Sequence, residues 1–183
     1  MNEFPAHPFW DWSLQVYGRP GVEDILLKLQ DRLGLDVNLM LFACWTGATG
    51  RGRLTGGEWA RLIEGTAGWR ENVVAPLRSV RRHLKGRGDL PGAAALRERV
   101  KALELEAEHA GQLAIAGMAP DRVETDIPSA QCIADAGASL ESYVAAAGLH
   151  PSDGDRALLG SVARSCCHRS QAQLRTTEHY RKK

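Results

Sequence analysis

No apolar run in this 183-residue chain approaches the ~20 residues that a membrane-spanning helix requires. Charge of one sign is not in excess either: 23 Lys and Arg face 22 Asp and Glu, a formal net charge of +1. No long-range field therefore draws the whole protein toward nucleic acid or anionic lipid. The four cysteines, Cys44, Cys132, Cys166 and Cys167, show no CxxC spacing, and a reduced, cytoplasmic protein fits them best. The N-terminus, "MNEFPAHPFWDW", lacks the basic segment followed by an apolar core that marks a signal peptide. Equally missing are a G-x-S-x-G elbow, H-E-x-x-H, a dinucleotide fingerprint and the kinase motif set. No enzyme class is signalled, and no motif calls for a cofactor.

Strand-like alternation is scarce, whereas helical punctuation recurs. "PFWDWSLQVYG" starts with a proline suited to a first helical position and ends at Gly18. In "GVEDILLKLQDRLG", Val22, Ile25, Leu26, Leu29 and Leu33 follow the i, i+3, i+4, i+7 rule, with Gly34 at the left-handed C′ position. Asp36 reads as the N-cap of a third helix running to about Trp45. Leu35 and Met40 are placed to form its hydrophobic staple. This stretch, "LDVNLMLFACWTG", is the most apolar of the chain and predicts a buried core helix. The loop "TGATGRGRLTGG" follows, with Thr55 and Glu58 forming a capping box for the next helix.

Pro76 predicts a kink or break in the helical run "EWARLIEG" to "RRHLKG". An alanine-rich helix over 94–118 then aligns Leu96, Val100, Leu103, Ala107, Ala110 and Ala114 on one stripe. Two further helices, near 129–147 and 156–167, precede a polar, basic tail. All five tryptophans lie in the N-terminal half.

Among candidate sites, the arginine row in "WRENVVAPLRSVRRHLK" stands out. On a continuous helix, Arg70, Arg81, Lys85, Arg78 and Arg82 fall within a sector of about 120° beside an apolar face. Such a row suits bidentate binding of phosphate or carboxylate, or of an acidic partner. The favoured alternative is a solvated or internally paired face, with the segment Asp121–Asp155 (seven acids against Arg122) supplying the partners. Trp10 and Trp12, two residues apart, point in different directions on a helix, so one can be core and the other a docking residue near Phe4 and Phe9.

Asn38, the lone amide in the apolar stretch, and Trp45 are pocket candidates, with a structural role for Asn38 at the helix start preferred. "GATGRGR" lacks the GK[ST] ending of a phosphate loop, so a mobile glycine-rich loop is expected. Glu106 and His109 have E-x-x-H spacing, but no second such pair accompanies them and a surface face is favoured. Cys166, Cys167, His168 and His179 lack the spacing of a closed zinc site, and no metal is assigned.

The chain resembles an uncharacterised bacterial family of about this length. The matching residues run F-W-x-x-S-L…Y…G-V…L-Q-x-x-x-G-x-D-V-N…L-F…W from Phe9 to Trp45, then V…P-L-R…R…L-K from Val74 to Lys85. The resemblance covers the N-terminal half well and the C-terminal half hardly at all. The function of that family is unknown, so it carries over no catalytic residue.

The expected fold is all-α: a single irregular or orthogonal bundle of about seven or eight helices around the buried apolar helix. The expected domain spans 1–168, with an aromatic-rich half 1–86, an Ala/Leu-rich half 92–168, and a basic tail 169–183. The leading functional expectation is a non-catalytic cytoplasmic protein that binds another macromolecule in an adaptor or accessory role, with an unidentified protein as the expected partner. The alternative is an anionic small-molecule site or enzyme between helices near Asn38 and the Arg78/Arg82 row. Nucleic-acid binding through the tail is the weaker third, and its oligomeric state is open.

Overall fold

A computed structural model describes residues 4–167. These residues are helix, turn and loop, with no strand among them, so the chain is an all-α protein. In chain order the elements are α1 (Pro8–Tyr17), α2 (Val22–Leu33), α3 (Val37–Ala48), α4 (Gly56–Trp69), a π-helical turn (Arg70–Val74), α5 (Ala75–His83), α6 (Ala93–Ala116), α7 (Ser129–Ala146) and α8 (Asp153–Cys167). The basic tail and His168 lie outside the described residues, as does His179.

The local chemistry behind these elements is largely what the residues dictate. Gly34 closes α2 in the left-handed conformation (φ 70°), its N–H donating to the Gln30 carbonyl. Asp36 caps α3: its carboxylate accepts the N–H groups of Asn38 (2.8 Å) and Leu39 (3.1 Å), two of the donors that a helix start leaves without partners. At α4, Glu58 accepts the Thr55 N–H at 2.7 Å and Thr55 Oγ1 accepts the Glu58 N–H at 3.3 Å, a reciprocal capping box. Pro76 does not interrupt the chain's helical course. It falls in the first turn of α5, after the π-helical turn, where its missing N–H is tolerated.

The residues group into two compact units interleaved along the chain. The larger comprises 12–59 and the residues from Pro120 onward, and is built around α3, which packs against α7, α8 and α2. Nine successive residues of α3, Leu39 to Gly47, are buried, so this helix is enclosed on every side. Close approach is part of the packing: a Cβ on Gly47 would stand 2.8 Å from both the Ala136 nitrogen and the Cys132 carbonyl oxygen of α7. Trp59 stacks on Tyr143 (4.7 Å), whose hydroxyl accepts the Asp36 N–H at 3.0 Å. Arg32 of α2 reaches Asp155 of α8 at 2.7 Å.

The smaller unit comprises 1–11 and 60–119, with α5 and α6 packed as a hairpin. In α6 the buried line is Ala93, Val100, Glu104, Ala107 and Ile115, with Gln112 and Ala116 buried to one side of it. The stripe expected from the sequence is therefore corrected: Val100 and Ala107 are buried, but Leu96 and Leu103 are about half exposed. The reason is a polar residue. Glu104 takes a core position because α5 supplies its counter-charges, and this rotates the buried line away from the two leucines.

Candidate functional site

The arginine row belongs to the smaller unit, and the structure divides it. Arg78 Nε donates to Glu104 Oε1 at 3.1 Å, and its Nη2 to Glu108 Oε1 at 2.6 Å. Arg81 grips both oxygens of Glu104. The partners thus come from α6, one hairpin away, and not from Asp121–Asp155. Burial alone would raise the Glu104 pKa, but the hydrogen bonds from Arg81 and Arg78 outweigh it and hold the carboxyl below its ordinary value. Arg70 pairs only with its neighbour Glu71, at 3.4 Å on the surface. The π-helical turn between Arg70 and α5 also breaks the even angular spacing on which a five-cation row depends. Arg82 and Lys85 are exposed and pair with no carboxylate among the described residues.

The N-terminal aromatics meet a residue that spacing alone had assigned to a surface face. The His109 ring lies flat on Trp10, centroids 4.2 Å apart and planes 8° apart, with Phe4 tilted against it at 5.1 Å. Burial lowers the His109 pKa; Asp11 opposes that, His7 adds to it, and the Pro5 carbonyl opposes it, leaving the value below the ordinary one. His7 Nδ1 accepts the Phe9 N–H at 3.1 Å, helping to start α1. Phe9 is fully buried, whereas Trp10 and Trp12 are each half-buried. Glu106 and His109 therefore act apart: the imidazole is packed under aromatic rings.

Asn38 and Trp45 belong to the larger unit. Asn38 is held at the start of α3 by its backbone bond to Asp36, and Trp45 is buried. Trp45 is covered by Arg51, whose guanidinium carbon stands 4.3 Å above the indole ring. The loop carrying Arg51 is the glycine-rich one, and it is fastened. Arg122 donates to the carbonyls of Arg51 and Arg53, each at 2.8 Å, and to Glu58 at 2.7 Å. The Glu124 N–H donates to the Gly50 carbonyl at 2.7 Å. Gly50 has φ +77°, and a Cβ there would fall 1.9 Å from the Glu124 oxygen, so only glycine fits. The Arg122 hydrogen bond is the main reason that the Glu58 pKa is lowered to about 2.

None of the four cysteines forms a disulfide, and all are buried in the larger unit. The Cys167 thiol donates to the Cys132 carbonyl at 3.3 Å. Contact with Cys166 and burial push the Cys44 pKa well up, and burial raises that of Cys167 to about 12. These thiols are packing residues. Among the described residues no group of three or more His, Cys, Asp or Glu side chains is arranged to hold a metal ion. Nor is any helix among them long and apolar enough to cross a membrane.

Sequence reasoning placed Arg78 and Arg81 correctly on one helix face but could not name Glu104 and Glu108 as their partners. It put His109 on a surface face and gave Arg51 no role, because what defines each is a ring that folding brings to it.

What the fold and these features define is an all-α protein with a buried central helix, a charged helical hairpin and no recognisable catalytic constellation among the described residues. A family model described as "protein of unknown function (DUF2390)" matches residues 8–115, from α1 through α6, and the chain belongs to that family. No curated protein and no solved structure matches it.

Proposed function

We propose that this protein works by binding another protein, in an accessory role in the cytoplasm, through the α5–α6 hairpin. The observation that carries the reading is a coincidence of apolar and cationic exposure on that hairpin. Val80, Leu96 and Leu103 are each about half exposed. Of the ten large hydrophobic residues exposed among those described, seven (Phe4, Trp69, Val80, Leu90, Leu96, Leu103 and Leu105) belong to the smaller unit. From Ala75 to Lys101 the chain carries eight Lys and Arg against two acids. Arg78 and Arg81 are neutralised by Glu104 and Glu108; Arg82 and Lys85 are not. Exposed apolar side chains and cations without counter-charges on one hairpin suit a partner that presents both apolar residues and carboxylates.

The test is site-specific photocrosslinking in cells, with the crosslinker at Leu103 and, as control, at Leu14 in the larger unit, which is equally exposed. A discrete adduct to a different protein is expected from position 103 alone. It should disappear in the double variant Arg82→Glu, Lys85→Glu, whose folding circular dichroism would verify. An adduct insensitive to this charge reversal, an adduct only to a second copy of the chain, or none at all would each overturn the proposal.

A further inference from the structure

Arg51 differs from the arginines that fold against acids in this molecule. Arg78 and Arg81 bind Glu104, Arg122 binds Glu58, and Arg32 binds Asp155. Arg51 is half-buried, yet no carboxylate among the described residues pairs with it. Its backbone is fixed at both polar groups, the N–H donating to the Thr46 carbonyl (2.9 Å) and the carbonyl accepting from Arg122 Nε (2.8 Å). One face of its guanidinium lies on Trp45, which is itself buried. Nη1 donates to Thr49 Oγ1 at 2.8 Å, and the Thr49 hydroxyl donates onward to the Trp45 carbonyl at 2.7 Å. Nε is buried without a hydrogen-bond partner, and Nη2 makes no hydrogen bond among the described residues. The next side chain with the same charge, Arg53, is exposed two residues away and also pairs with no carboxylate.

A partly desolvated guanidinium without a counter-charge is unfavourable by itself. Here a clamped loop, a stacked indole and a threonine nonetheless hold it in one orientation. Such preorganisation removes the ordering cost that a flexible surface arginine pays when it binds an anion, and the planar fork matches a carboxylate or phosphoryl group. With one face on Trp45 and the Nε edge sealed, the outer Nη end is what remains for a ligand to approach.

We propose that Arg51, seated on Trp45 and followed by Arg53, anchors a binding site for the oxyanion group of a small metabolite, a carboxylate or a phosphoryl group taken end-on by the guanidinium. The site lies in the larger unit and is independent of the hairpin surface proposed above, so either can fail alone.

Isothermal titration of the full chain with inorganic phosphate and, separately, with malonate, at ionic strength held constant by chloride, tests it. At least one of the two should bind saturably to the wild type. Arg51→Met should weaken that binding by about tenfold or more. Arg51→Lys, which keeps the charge but loses the fork and the stacking, should weaken it measurably too, and Arg53→Met less than Arg51→Met. Near-identical circular dichroism would show that the variants fold; if Arg51→Met does not fold, Arg51→Lys carries the comparison. Absence of saturable binding of either anion, or binding undiminished by both Arg51 changes, would overturn the proposal.

Discussion

α3 and α6 organise the two units in opposite ways. α3 is 12 residues long and buries nine in succession, none of them charged. α6 is 24 residues long, buries seven of them, and sets a carboxylate among them. The first solution relies on dispersion and exclusion of water, and it depends on shape: neighbouring backbones approach to where a single Cβ at Gly47 would collide. The second relies on Glu104 being matched by Arg78 and Arg81, and it depends on charge. A helix buried all round leaves no surface for recognition, whereas one buried in part leaves its remaining faces, with Leu96 and Leu103, to meet something else.

Shape should dominate the larger unit. Truncating Phe42, fully buried in α3, to alanine is expected to lower stability by about 3–5 kcal/mol, read from urea unfolding. Gly47→Ala adds one methyl yet should also destabilise, by about 1–3 kcal/mol or more, because the obstructing atoms are backbone. A Phe42→Ala variant as stable as the wild type would remove α3 from its central place.

Charge should dominate the smaller unit. Glu104→Gln leaves two guanidinium groups facing a neutral amide, and a loss of about 2 kcal/mol is expected, moderated because Arg78 and Arg81 are about a quarter exposed. The pH dependence has a definite sign. Since the folded state holds the Glu104 pKa down, its contribution is complete above the ordinary value of 4.5 and fades as pH falls through the lower, folded value. Acid unfolding monitored in parallel should show a shallower slope below that pH for Glu104→Gln; identical slopes would contradict the ion-pair account.

His109 gives a smaller effect of the same sign, from a group that is cationic when protonated. Its folded pKa is depressed, so the unfolded chain takes up the proton first as pH drops below about 6.5 and the stacked arrangement is weakened there. An NMR titration should place the His109 midpoint below 6.5, and Trp10→Ala should move it upward by exposing the ring. A midpoint unmoved by that substitution would mean that the indole does not shield it. Smallest of all, Arg82→Glu with Lys85→Glu should leave stability within about 0.5 kcal/mol of the wild type, since neither cation is paired. A larger loss would show that the hairpin's free cations are structural after all.

Much of the local architecture was legible in the residues. The cap at Asp36, the glycine stop at Gly34 and the Thr55–Glu58 box are short-range hydrogen-bonding devices, and each spans five residues or fewer. The all-helical class followed from the same period repeated along the chain. The stripe of α6 was misread because periodicity counts leucines as inward, and Leu96 and Leu103 are displaced by a glutamate whose partners lie on another helix. The expectation of a mobile glycine-rich loop failed for a related reason: what fastens it is Arg122, about seventy residues away along the chain.

The sequence by itself determined where helices begin and end and which stretch would be buried, because capping, helical period and apolar runs act over one or two turns. Only the tertiary structure decided which charges are neutralised. Arg78 and Arg81 are silent because folding brings them Glu104, and Arg51 stands out because folding brings it an indole and no acid. A Coulomb partner is chosen by distance in space, and a list of residues contains no such distance.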